Sequence, residues 1–202
     1  MLQIENIMET FAFYYPWYGT RPERHWKTDP NNSPNARLTN SPRYPSLGLY
    51  HSGHRSTLDR HFRWARVAGL TGFVVSWWGR GSFEDRQVLK ILKTAAKFGL
   101  QICLYYERIP DSSPHTTQES MILADFKYLS RQYANHPAYY KRDGKSVLFL
   151  YDRAIKSLKP LSRWDKIVSQ SSFLLIADGT THTRSTIFHG THTYNPVSVL
   201  TN

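Results

Sequence analysis

The chain has 202 residues, 40% of them hydrophobic and 14% aromatic, a composition that indicates one globular domain and excludes a disordered chain. The formal net charge is +11, but the basic residues form no dense block and no zinc-finger or RNA-binding signature, so no nucleic-acid partner is predicted. The single cysteine, Cys103, cannot form an internal disulfide, and no stretch reads as a membrane span or signal peptide. These features leave the cellular compartment open.

Apolar runs alternate with helical patterns along the chain. We predict strands at residues 11–15, 72–77, 101–106, 147–151 and 173–177, with a weaker sixth at 192–194. Most runs are continuously apolar, as in parallel strands covered by helices. Helical stripes begin near Leu58, Val88 and Ile122, and capping-box spacings predict helix starts at Ser56, Ser82, Thr116 and Ser162. This order predicts an α/β fold with right-handed crossovers and a parallel sheet.

The segment between the first strand and the first helix, residues 16–55, is long and has no clear period. It is rich in Pro, Asn, Gly and aromatic residues. A loop of this length is commonly functional, and its aromatic content favours packed order. It follows the carboxyl end of a strand, where (β/α)₈ barrels build their active sites.

Several segments carry a resemblance to a known family. They are residues 13–19 (FYYPWYG), 25–26 (HW), 44–52 (YPSLGLYHS), 61 (H), 68–79 (AGLTGFVVSWWG), 105–107 (YYE), 133–140 (YANHPAYY) and 148–152 (LFLYD). In this order the segments resemble glycoside hydrolase family 99, the endo-α-mannosidases and their bacterial relatives. The resemblance implies a (β/α)₈ TIM barrel, a mannose-containing glycan as partner and no cofactor. The chain would hold about five or six of the eight βα units.

The sequence departs from the family in its catalytic segment. The resemblance implies two catalytic carboxylates in a late Glu-Trp-x-Glu segment, and glycoside hydrolysis generally requires such a pair. This sequence contains no Glu-Trp-x-Glu; its last glutamate is Glu119 and its last acidic residue is Asp178. We therefore predict no catalytic residue. Residues 1–202 are interpreted as one partial barrel domain, truncated before the last strands and inactive alone.

Glu107 and Trp77 are the first candidates for substrate contact. Each ends a predicted strand, and the resemblance implies substrate-site residues at both places. Alternatively, Glu107 pairs with Arg108 or the Trp77 indole, and Trp77 packs at the barrel mouth. Because side chains alternate along a strand, Trp78 is expected to pack outward. Asp152, just past the fourth strand, is better explained as a turn residue.

Four further residues complete the predicted substrate site. Tyr14 and Tyr15 end the first strand, and alternation sends one of them inward. His136 is either a helix C-cap or, as the resemblance implies, a site histidine before the fourth strand. Tyr194 resembles a site tyrosine after a late strand, although its surroundings match poorly.

Other functions remain open at this stage. A non-catalytic glycan-binding protein is the main alternative, and a basic nucleic-acid-associated protein is the least favoured. His182, His189 and His192 fit no standard metal spacing, so no metal site is predicted. An open barrel has two bare sheet edges, which predict self-association.

Overall fold

The computed structural model describes residues 8–20, 23–26, 45–46, 48–111 and 115–194. The strands are β1 (Phe11–Tyr14), β2 (Gly19–Thr20), β3 (Glu23–Arg24), β4 (Gly72–Trp77), β5 (Gln101–Tyr106), β6 (Lys141–Arg142), β7 (Lys145–Leu150), β8 (Leu174–Asp178) and β9 (Gly190–His192). The helices are α1 (Arg55–Val67), α2 (Asp85–Phe98), α3 (Gln118–Leu129), α4 (Asp152–Ser157), α5 (Arg163–Gln170) and α6 (His182–Ile187). A π-helical turn, Ser130–Ala134, extends α3.

One curled parallel sheet organises the described part of the chain. Its strand order is β1-β4-β5-β7-β8-β9, and each neighbouring pair is parallel. Helices alternate with these strands, because parallel neighbours are joined by crossover connections that are usually helical. The short strands β2 and β3 pair with each other, and β6 pairs antiparallel with β7. The predicted incomplete (β/α)₈ barrel is confirmed as a half-barrel with six parallel strands.

Side-chain alternation divides the core into two layers. On the helix-covered face, residues such as Val75, Tyr106 and Leu148 pack against the apolar stripes of α1, α2 and α3. On the opposite, concave face, Val74 and Cys103 belong to a second cluster of interior residues. The register of the parallel pairs fixes this division, because residues aligned across the sheet share a face.

The predicted helices form close to their expected places. Ser82 Oγ accepts a hydrogen bond from Asp85 N at 3.0 Å at the start of α2, which ends at Gly99 in the left-handed conformation (φ 66°). The N-cap of α3 is Thr117, whose side chain accepts from Ser120 N, one residue beyond the predicted cap. The short helices α4 and α6 were not predicted because neither has a long apolar stripe.

Two sequence predictions are not tested by the fold. Residues 21–22, 27–44 and 47 of the long loop lie outside the described residues, and these include Tyr44 and Leu47 of the family-like segments. The assignment of residues 1–202 to a single partial domain stays a prediction. Across the described ranges, none of the helices combines the length and the apolar character that a membrane crossing demands.

Candidate functional site

A buried carboxylate lies at the carboxyl end of the central strands. Glu107 follows β5, is 4% exposed, and donates its backbone N–H to Trp77 O at 3.1 Å. Its Oε1 accepts a hydrogen bond of 2.6 Å from Ser76 Oγ. Burial raises the pKa of Glu107, while the Ser76 hydrogen bond and the nearby Arg153 charge oppose the shift. The carboxylate is therefore held in place by its neighbours on the sheet.

Two tryptophans flank this carboxylate through the same serine. Trp17 Nε1 and Trp78 Nε1 donate to Ser76 Oγ at 2.9 and 3.0 Å. The two indole rings meet edge to face, 6.0 Å apart and at 77°. Both are only partly buried, so aromatic surface stays open at the mouth of the half-barrel. This arrangement offers a carboxylate oxygen beside exposed ring faces.

Tyrosines line the adjoining part of the concave face. Tyr15 and Tyr194 share a hydrogen bond of 2.7 Å between their hydroxyls, and the Tyr194 ring stacks on Tyr105 and meets Tyr151 edge to face. Burial raises the pKa of Tyr15 and Tyr105, which favours the protonated hydroxyl as a hydrogen-bond donor. Among the described residues, the buried Tyr105 hydroxyl and His192 Nε2 have no hydrogen-bond partner. Buried polar atoms normally form a hydrogen bond, so these two atoms are candidates for contact with a bound molecule.

The predicted inward position of Trp77 is wrong. Its ring is fully buried on the helix-covered face, stacks on Tyr106 at 5.5 Å, and donates from Nε1 to Asp85 Oδ1 at 2.7 Å. Trp77 aligns with Tyr106 in the register, whereas Glu107 lies one position further on and faces the interior. Trp77 and Glu107 thus emerge on opposite faces of the sheet. Trp78, expected to pack outward, is the tryptophan beside Glu107.

Tyr14 and His136 also lie away from Glu107. Tyr14 faces the helices: its hydroxyl is 3.1 Å from His61 Nδ1, and its ring packs near Phe62. His136 lies in the turn before β6, where its Nδ1 accepts a hydrogen bond from Ala138 N. That turn leads into Tyr139, which bridges to Ile102 at the start of β5. His136 is consequently at the amino-terminal end of the sheet, opposite the mouth.

Of the six predicted residues, the structure brings together Tyr15, Glu107 and Tyr194. Sequence reasoning missed the interior partners Trp17, Ser76, Trp78, Tyr105 and Tyr151. Ser76 was the available signal, because a lone polar residue within an apolar strand marks its polar-lined face. Asp152, considered as a second carboxylate, forms ion pairs with Arg184 and Lys156 at 2.6 and 2.7 Å. These pairs explain Asp152 by local structure.

The fold and the mouth residues define a class: a (β/α) half-barrel whose strand ends carry a carboxylate among aromatic rings, as in barrel glycosidases. The Glycosyl hydrolase family 99 model matches residues 6–192. The chain belongs to glycoside hydrolase family 99. The glycoprotein endo-alpha-1,2-mannosidases of Rattus norvegicus and Mus musculus are 28% and 29% identical over 79% and 71% of the chain.

A solved structure gives the same relationship. The GH99 endo-alpha-mannosidase from Bacteroides thetaiotaomicron superposes with a TM-score of 0.75 at 25% identity over 93% of this chain. The chain covers 61% of that bacterial structure, and 39% and 36% of the rat and mouse relatives. It therefore corresponds to part of the length of each relative.

Proposed function

We propose that the mouth of this half-barrel binds a mannose-containing glycan, with Tyr15, Trp78, Glu107 and Tyr194 as sugar contacts. The observation that carries the proposal is the Ser76 hydrogen-bond centre. One hydroxyl fixes the Glu107 carboxylate and receives both indole N–H groups of Trp17 and Trp78. This centre orders a carboxylate and two aromatic rings on one concave surface.

Each part of the surface suits a different part of a sugar. An indole face packs against the apolar C–H side of a pyranose ring, a contact that combines area burial with ring electrostatics. The Glu107 carboxylate accepts hydrogen bonds from sugar hydroxyls, and charged acceptors form the stronger ones. The tyrosine hydroxyls of Tyr15 and Tyr194 donate or accept at the rim.

We propose further that this chain binds without cleaving. The relatives are named endo-alpha-1,2-mannosidases, and glycoside hydrolysis needs an acid and a second carboxylate placed about the same bond. The sequence has no Glu-Trp-x-Glu segment, and Asp152 is held in ion pairs. The purified chain should release no fluoride from an α-mannosyl fluoride above a heat-treated control. Turnover abolished by Glu107→Gln would refute this part.

Binding is tested with an α-1,2-linked mannobiose and isothermal titration calorimetry. Trp78→Ala removes the stacking ring and should weaken affinity by about 1 kcal/mol or more, roughly five- to ten-fold. Trp64→Ala is the matched control, because Trp64 is 53% exposed on α1, on the helix-covered side. Equal affinity of the wild type and the Trp78→Ala variant would overturn the proposed site.

A further inference from the structure

A positive group, the Arg153 guanidinium, lies against two aromatic rings at the mouth, one of which is the proposed sugar contact Trp78. The Arg153 guanidinium carbon is 5.2 Å from the centre of the Trp78 ring and 5.6 Å from that of Tyr151. Arg153 stands in the first turn of α4, immediately after β7, so it belongs to the same mouth as Glu107. Its side chain is exposed, and among the described residues it makes these ring contacts but no ion pair or hydrogen bond.

Two further arginines line a groove to which Trp78 also contributes. This groove of about 360 Å³ is bounded by Arg80, Arg108 and Met121 as well as Trp78. Arg80 is paired with the buried Asp125 at 3.1 Å. Arg108 pairs with Asp111 at 3.3 Å, but that carboxylate is 92% exposed, and such a pair is weak in water. Arg108 and Arg153 therefore keep charge available for a ligand.

We infer that the glycan bound at this mouth carries an anionic substituent, a phosphate monoester or a carboxylate, and that Arg153 recognises it. The inference rests on the proposed glycan function and deepens it by naming a substrate class. Arginine presents planar, paired donors that match carboxylate and phosphate oxygens. A sugar stacked on Trp78 brings its substituents within reach of a guanidinium that lies over the same ring. Arg108, which lines a groove together with Trp78, supplies a second charge near the same ring.

An ordinary structural role makes a different prediction. Arg153 also lies close enough to Glu107 to act on that carboxylate electrostatically. If Arg153 only supported Glu107 or the Trp78 ring, its loss would weaken neutral and anionic sugars alike. Specific recognition of an anion instead changes the ratio of the two affinities. This ratio is the quantity to measure.

The experiment compares mannose, mannose 6-phosphate, glucuronic acid and inorganic phosphate on the whole chain by calorimetry. At least one anionic sugar should bind about ten-fold more tightly than mannose at low salt, and this advantage should shrink as salt is raised from about 0.05 to about 0.5 M. The comparison of mannose 6-phosphate with glucuronic acid shows whether the site prefers a phosphate or a carboxylate. Arg153→Gln should abolish the advantage, lowering the affinity for the anionic sugar at least about five-fold more than the affinity for mannose. Arg153→Lys should keep only part of it.

Arg66→Gln, on the exposed surface of α1, is the charge-matched control and should change neither affinity. Equal binding of neutral and anionic sugars, or an equal loss of both in Arg153→Gln, overturns the inference while leaving the glycan function intact. Binding of inorganic phosphate as tight as the best anionic sugar also overturns it, because the sugar would then contribute nothing. If no sugar binds to the folded chain, the proposed function itself fails.

Discussion

Trp77 and Trp78 are adjacent in the sequence, but only Trp77 is fully buried. The Trp77→Phe variant tests whether this buried side chain stabilises the fold. The Trp77 ring is 0% exposed, and its Nε1 donates to Asp85 Oδ1 at 2.7 Å. Phenylalanine keeps most of the stacking on Tyr106 but deletes this donor. Hydrogen bonds to charged groups contribute about 1.5–3 kcal/mol, so we expect a loss of that size in the free energy of unfolding.

The remaining hydrogen bonds of Asp85 explain why the loss in free energy of unfolding should stay within that range. Its carboxylate keeps three other donors: the Gly81 N–H and the hydroxyls of Tyr128 and Tyr133, each within 2.8 Å. The carboxylate is therefore not left unsatisfied by Trp77→Phe. Trp77→Ala removes the ring as well and should cost about 3–5 kcal/mol, the range for large buried aromatic residues.

Thermal unfolding followed by far-ultraviolet circular dichroism measures both variants. For a chain of this size, about 2–4 °C are lost per kcal/mol, so Trp77→Phe should melt about 3–12 °C lower than the wild type. Trp78→Ala, one position further along, is the matched control: it should weaken glycan binding and lower the melting temperature less than Trp77→Ala. An unchanged melting temperature in Trp77→Phe, or weaker glycan binding without loss of stability, would refute the assignment of Trp77 to the core.

Two further predictions concern pH and assembly. Because burial raises the pKa of Glu107 above its ordinary 4.5, the folded state keeps a proton that the unfolded chain has lost, so this residue's contribution to stability falls as pH rises from about 4.5. Urea unfolding at pH 4 and pH 7 should show Glu107→Gln gaining stability relative to wild type at the higher pH; a pH-independent difference would contradict this. In the described sheet, β1 and β9 each pair on one side, so sedimentation velocity should show concentration-dependent self-association. A single monomeric species at all concentrations would count against these edges as contact surfaces.

The sheet was predictable because its strands are buried on both faces. Such strands are continuously apolar, and the predicted 72–77 and 101–106 coincide with β4 and β5. The predicted ends of the later strands differ by one to two residues from those of β7, β8 and β9, because the sequence is less apolar where these strands meet turns. The helix starts were predicted from hydroxyl side chains, and for α3 the neighbouring Thr117 replaces Thr116 as the cap. The predicted start at Ser56 was wrong, because α1 already begins at Arg55, and Ser162 precedes α5 without a side-chain cap.

The hydrophobic pattern alone did not predict which face of the sheet the side chains at each strand end occupy. Strand β4 is apolar apart from Ser76, so unless that one polar residue is taken to mark the interior face, hydrophobicity does not show which of Trp77 and Trp78 points inward. Register supplied the phase: Trp77 aligns with Tyr106, and Glu107 is one residue further on. His136 failed for another reason, since a turn that precedes a strand lies at the amino-terminal end of the sheet. A family-like segment did not reveal that position.

The hydrogen bond between Tyr15 and Tyr194 joins positions 179 apart in the chain. Tyr194 also packs on Phe13 of β1, on Tyr105 of β5 and on Tyr151, which follows β7. By contrast, the helix-covered layer contains many contacts between consecutive elements, such as Trp77 with Asp85. Contacts of high sequence separation form slowly, because closing a long loop costs entropy before any contact rewards it. During synthesis the helix-covered layer can therefore consolidate first, while the ring cluster at the mouth must wait for the residue at position 194 to be made.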